Sequence, residues 1–167
     1  MPLEAEGQAE AEVTFTLNGR PARARIPVTM ALLEMVRERF QLLGSKLACG
    51  EGECGACAML LDGEPVLGCL TPAVDVDGRT LVTVEGLRDK GGLSTLQQAF
   101  VSEGAVQCGF CTPGMLVAAT ALLHEHPHPT DEQVRRGLEG NLCRCTGYSA
   151  LQRAVQAAAT PLSQRDA

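Results

Sequence analysis

Cys49-Gly50-Glu51-Gly52-Glu53-Cys54-Gly55-Ala56-Cys57 carries three cysteines at C-x4-C-x2-C spacing, and Cys69 follows after eleven intervening residues. This is the spacing of plant-type [2Fe–2S] proteins. Three thiolates from one loop must wrap a flat rhomb of two irons and two sulfides. Such a loop turns sharply more than once, which the interspersed glycines permit. Short loop backbone also points amide N–H groups at the sulfides and offsets their negative charge. Cys69, from a separate strand, ties the loop to a sheet. Buried thiols among ordinary turns are the bland alternative. A zinc site is the next rival, but structural zinc usually draws ligand pairs from two short knuckles.

Outward from this loop the pattern is that of a small α+β unit. Val13 to Leu17 alternates as a strand, Asn18-Gly19 is a hairpin signal, and Arg23 to Val28 is the return strand. Thr29 is expected to cap a helix from Met30 to Phe40 whose apolar face holds Leu32, Leu33, Val36 and Phe40. After the loop, Ala58 to Leu61, the Asp62-Gly63 turn and Pro65 to Leu70 predict a second hairpin. Short strands at Val74–Val76 and Thr80–Val84 flank Asp77-Gly78, and the unit is expected to end near Glu85-Gly86. Two hairpins folded over one helix make the class α+β.

The remainder reads as helical. Ser94 to Ser102 is one helix; Thr112-Pro113, a cap and a first-turn proline, starts another whose residues Met115 to Leu123 are apolar nearly all round. Pro127 and Pro129 end it. Thr130 with Gln133 forms a capping box for a helix to Glu139, and Ser149 to Ala159 is the last. Four helices of this length predict a small bundle. Within it, Cys108-Gly109-Phe110-Cys111 and Cys143-Arg144-Cys145 give C-x2-C, thirty-one residues, then C-x-C. Cys111 precedes a helix start, where free N–H groups and the helix dipole favour thiolate. Arg144 is expected to point away while Cys143 and Cys145 converge. Spacing alone leaves a second [2Fe–2S] centre and an all-cysteine zinc site both open. The resulting division is a disordered lead 1–12, a [2Fe–2S] domain 13–86, a linker 87–92, a helical domain 93–160 and a tail 161–167.

Composition narrows the class. The chain has 167 residues, 45% apolar, 3% aromatic and no Trp. The core must come from Leu, Val and Ala, and halves of about 80 residues are marginal without cross-links. A net charge of −6 with no basic cluster argues against nucleic acid. No apolar run is long enough to span a bilayer. Met1 to Glu12 lacks the apolar region of a secretory signal, and Arg135-Arg136 is internal, so the reading is cytoplasmic. In that compartment, clustered cysteines more often bind metal than form disulfides.

Cys49 to Cys57, Gly68-Cys69, Gln107-Cys108-Gly109-Phe110-Cys111-Thr112-Pro113-Gly114-Met115 and Gly140-Asn141-Leu142-Cys143-Arg144-Cys145-Thr146-Gly147-Tyr148 together resemble the small iron–sulfur subunit of the xanthine oxidase family of molybdenum hydroxylases. The resemblance covers residues 13–160. It implies a β-grasp, ferredoxin-like N-terminal domain and a C-terminal four-helix bundle. It implies that Cys49, Cys54, Cys57 and Cys69 hold an outer cluster nearer a flavin. Cys108, Cys111, Cys143 and Cys145 would then hold an inner cluster nearer a molybdopterin, with Gln107 and Cys145 against the pterin. No residue would be catalytic here. The chain would pass electrons singly from molybdopterin, in a large subunit and carrying a cytosine dinucleotide, to FAD in a medium subunit. The assembly would be a dimer of heterotrimers. Alternatives are the same architecture working as a reductase subunit (the 4-hydroxybenzoyl-CoA reductase type), a free-standing redox carrier, and a zinc-stapled interaction module.

Other features read plainly. His124, His126 and His128 are surface histidines beside a complete set of cysteine ligands. Met30, Met35 and Met115 are core or interface packing. Arg135 and Arg136 form a solvated or partner-facing helix side, Glu51 and Glu53 are solvated loop charges, and Lys46 and Thr71 are assigned no role.

Overall fold

The computed structural model describes residues 9–89 and 92–159. Among them, five strands, β1 (Glu10–Leu17), β2 (Arg20–Pro27), β3 (Ala58–Leu61), β4 (Glu64–Leu67) and β5 (Thr80–Val82), form one mixed sheet in the order β2-β1-β5-β3-β4. Five helices accompany it among the same residues: α1 (Leu32–Glu38), α2 (Thr95–Ser102), α3 (Thr112–Glu125), α4 (Asp131–Leu138) and α5 (Ser149–Ala159). The α+β class is as expected. The Asn18-Gly19 turn has positive φ at both residues and joins β1 to β2 with Leu17 opposite Arg20. β5 runs parallel to β1 and antiparallel to β3.

One sheet face and α1 share a core of Val13, Phe15, Ile26, Leu32, Met35, Val36, Met59 and Leu81. Phe15 and Phe40 meet edge to face with ring centres 5.5 Å apart. A second core joins Leu96 and Phe100 of α2, Met115 and Leu122 of α3, Val134 and Leu138 of α4, and Leu151 and Val155 of α5. β3 is buried on both faces. Met59 and Leu61 enter the first core, while Ala58 and Leu60 pack on Val117 of α3. The continuous apolar run Ala58-Met59-Leu60-Leu61 is the signature of such a doubly covered strand. Through it, the helical half packs directly on the sheet.

Several boundaries differ from expectation. β1 begins at Glu10, inside the expected lead of 1–12, because its register with β2 runs back to Pro27. Residues 1–8, 90, 91 and 160–167, and with them the expected tail 161–167, lie outside the described residues. Thr29 is no cap, and α1 starts two residues later than expected. The Met30 carbonyl accepts the Ala73 N–H, and Ala31 bridges Pro72, so this backbone is extended before it is helical. Those same bonds draw Ala73–Val76 into a 3₁₀ turn rather than a strand. β4 stops at Leu67, where Leu70 and Thr71 fold back to donate to the Leu67 carbonyl. β5 gives way at Val84 to a 3₁₀ turn, Val84–Gly86. Thr112 is the first helical residue of α3 rather than its cap. The capping boxes Ser94–Gln97 and Thr130–Gln133 are both formed. Among the described residues, no helix is long and apolar enough to cross a membrane.

Candidate metal centres

The first cysteine loop connects α1 to β3. Its ends are drawn together by Lys46 N–H donating to the Ala56 carbonyl at 2.9 Å. Within it, the Glu51 N–H points at Cys49 Sγ at 3.4 Å. That amide, with the Cys54 thiol next in weight, lowers the exposed Cys49 to about 6. Cys57 is buried, and burial pushes its thiol up to about 11, reinforced by donation to Cys69 and by the charges of Cys69 and Cys54. Cys49 thus responds to Cys54, and Cys57 to Cys69 and Cys54.

The second set behaves alike. Cys145 Sγ donates to Cys108 Sγ at 3.6 Å, and that contact raises Cys145. Cys111 donates to Cys143; burial first, then that contact, pushes Cys111 up to about 12. The expectation that the helix start would favour thiolate at Cys111 is therefore corrected: burial outweighs the backbone donor. Cys143 is the activated member. Burial is the largest single influence and raises it. Thr146 Oγ1 at 3.1 Å, the Thr146 N–H at 3.4 Å, the Cys145 N–H and the Cys111 thiol together bring it down to about 7. The Cys143 N–H in turn donates to Tyr148 Oη at 2.9 Å. Thr146 and Tyr148 were inside the quoted motif but carried no assigned role. Their place directly after C-x-C was the available signal.

The two loops meet. The Leu142 N–H donates to the Cys54 carbonyl at 3.0 Å. Gly55 has φ +68, and a Cβ there would overlap the Gly140 carbonyl oxygen and Asn141 Oδ1. Only glycine satisfies both demands. Asn141 Oδ1 and Ser45 Oγ are buried without a hydrogen-bond partner among the described residues. Gln107 is exposed beside exposed Cys108 and Cys145. His124 and His128 are exposed, and His126 is half-buried beside Glu125. Met30, Met35 and Met115 are core residues. Arg135 and Arg136 both pair with Glu132 on the outer side of α4. Glu51 and Glu53 are exposed, as is Arg144.

The donor chemistry fits an iron–sulfur group. A metal–thiolate bond of about 2.3 Å at tetrahedral angles separates two sulfurs by about 3.8 Å, near the 3.6 Å between Cys108 and Cys145. Amide and hydroxyl donors aimed at Cys49 and Cys143 are the contacts that stabilise sulfur-borne charge.

Residues 8–93 match the family model described as 2Fe-2S iron-sulfur cluster binding domain, and residues 83–156 match [2Fe-2S] binding domain. The chain is 45% identical to the nicotinate dehydrogenase small FeS subunit of Eubacterium barkeri, over 86% of this chain and 92% of that one. It is 46% identical to the xanthine dehydrogenase iron-sulfur-binding subunit of Escherichia coli O157:H7, over 86% and 91% of the two chains. The crystal structure of quinoline 2-oxidoreductase from Pseudomonas putida 86 superimposes with a TM-score of 0.88 at 42% identity, covering 92% of this chain and 95% of that one.

Proposed function

This chain belongs to the small [2Fe–2S] subunits of the xanthine oxidase family of molybdenum hydroxylases, and from that premise we propose that its eight cysteines form two ligand sets, Cys49, Cys54, Cys57 and Cys69 for one cluster and Cys108, Cys111, Cys143 and Cys145 for the other. It is the electron-transfer subunit of an oxidoreductase complex. When bound, the clusters accept and release electrons one at a time between the molybdopterin centre and FAD. The chain's own residues hold the thiolates, direct N–H and hydroxyl donors at Cys49 and Cys143, and bury Cys57 and Cys111 away from water. No residue here takes part in bond-breaking chemistry on a substrate.

The match of each half of the chain to a [2Fe–2S] binding model carries this reading. A single tetrahedral ion would gather four sulfurs equally, whereas two irons take two thiolates each. The 3.6 Å contact of Cys108 with Cys145, and the mutual electrostatic influence of Cys49 with Cys54, Cys57 with Cys69 and Cys111 with Cys143, support that arrangement. In the same reading the sheet half is a β-grasp ferredoxin-like domain spanning 13–86, and 93–160 is a four-helix bundle joined to it by 87–92. The outer cluster faces FAD in a medium subunit. Gln107 and Cys145, both exposed, face the molybdopterin, as its cytosine dinucleotide, in a large one. The holoenzyme is a cytoplasmic dimer of heterotrimers. The relatives' names, small FeS subunit and iron-sulfur-binding subunit, favour a component of a larger assembly over a free-standing carrier.

Cys143→Ser in the assembled enzyme is expected to remove one of two cluster signals in low-temperature electron paramagnetic resonance and leave the other. Persistence of both signals would show the ligand set to be wrong.

A further inference from the structure

The 3₁₀ turn Val84–Gly86 lies between the two halves, and Val84 and Leu87 pack into the helical core. Glu85 faces the other way. One carboxylate oxygen accepts the Gly44 N–H at 2.8 Å, and the other accepts Thr83 Oγ1 at 2.5 Å. Thr83 is fully buried and fixed by Asn18, whose Nδ2 donates to Thr83 Oγ1 at 3.0 Å and whose Oδ1 accepts the Thr83 N–H at 2.9 Å. The carboxylate is therefore preset before it meets Gly44. Gly44 sits so close beneath the turn that a Cβ would overlap Val84 Cγ1. From the opposite side, Arg37 Nη1 donates to the carbonyls of Leu43 at 3.2 Å and Ser45 at 2.9 Å. Three consecutive residues at the mouth of the first cysteine loop are thus held between an anion and a cation by charge-assisted hydrogen bonds.

We infer that Glu85 is a positioning residue, holding the first cysteine loop against the helical half and thereby setting the separation of the two centres. This rests on the reading that both cysteine sets bind clusters. The loop touches the helical half in a second region, where the Cys54 carbonyl accepts the Leu142 N–H and Gly55 abuts Gly114, Gly140 and Asn141. One attachment leaves a pivot, whereas two fix an orientation. Glu85 supplies the second from a turn rooted in the helical core.

The magnetic coupling of two reduced centres falls with the inverse cube of their separation, so the test reads spin–spin splitting in fully reduced holoenzyme. Glu85→Ala is expected to retain wild-type iron and acid-labile sulfide but to narrow the splitting. Glu85→Gln, which keeps an acceptor for Gly44, is expected to restore it. An unchanged splitting in fully loaded Glu85→Ala overturns the inference. If that variant fails to load, Thr83→Val decides by the same signal, because it leaves the carboxylate in place but removes its preset partner; narrowing supports the role and no change overturns it. Wild-type holoenzyme without iron in this chain would overturn the cluster reading, and this inference with it.

Discussion

At Cys49 a single amide contributes most to making a thiolate. The residue is exposed, and the Glu51 N–H is the largest influence bringing it to about 6. Cys111 is the opposite case, held at about 12 chiefly by burial. A lowered value moves the onset of thiolate reactivity to lower pH, and a raised one moves it higher. In cluster-free protein, alkylation by iodoacetamide followed by peptide mapping should therefore label Cys49 half-maximally near pH 6 and Cys143 near pH 7. Cys111 should stay unlabelled until strongly alkaline conditions. Labelling of Cys111 ahead of Cys49 would contradict the burial argument. Spacing alone divides the eight cysteines into two groups along the chain. Which member of each set is activated was not legible there, since it depends on Thr146 and on burial, and neither follows from the interval between cysteines.

Among the elements, a real cap and an absent one make a controlled pair. Ser94 accepts the Gln97 N–H while Gln97 returns a bond to the Ser94 N–H. Ser94→Ala should cost about 1 kcal/mol in urea or thermal unfolding. Thr29 is exposed and caps nothing. Thr29→Ala should stay within about 0.5 kcal/mol; a loss equal to that of Ser94→Ala would mean that Thr29 does cap α1. Thr29 looks like a cap in sequence, whereas Ser94 reads only as the first residue of its helix. The helix after Thr29 is delayed because Met30 and Ala31 pair with the backbone of Ala73 and Pro72, far along the chain. Local signals decide a helix end only where no distant strand competes for the same N–H and C=O groups. Ser149–Ala159, which faces no such competition, was read to the residue.

At the scale of the whole molecule, three exposed apolar residues lie beside the second cysteine set in the chain. Val106 and Phe110 are 41% and 47% exposed, and Leu142 is 57% exposed, all flanking exposed Cys108, Gln107 and Cys145. An apolar patch around a redox centre is a surface awaiting a partner. Phe110→Asp should weaken association with the larger subunits by roughly tenfold or more, a loss of at least about 1.4 kcal/mol, with iron content and helicity unchanged. Assembly at wild-type affinity, measured by co-purification and titration, would remove Phe110 from the interface. The α+β class and most of the elements came from the sequence by itself, and the iron–sulfur reading from cysteine spacing together with the family resemblance, because hydrophobic periodicity and short motifs are local and the chain carries them wherever it goes. The contact of Cys108 with Cys145, the contact of Cys54 with Leu142, and the hold of Glu85 on Gly44 required the tertiary structure. Each joins residues distant in the chain, and only packing of α3 against both β3 and the second core brings those residues within hydrogen-bonding distance.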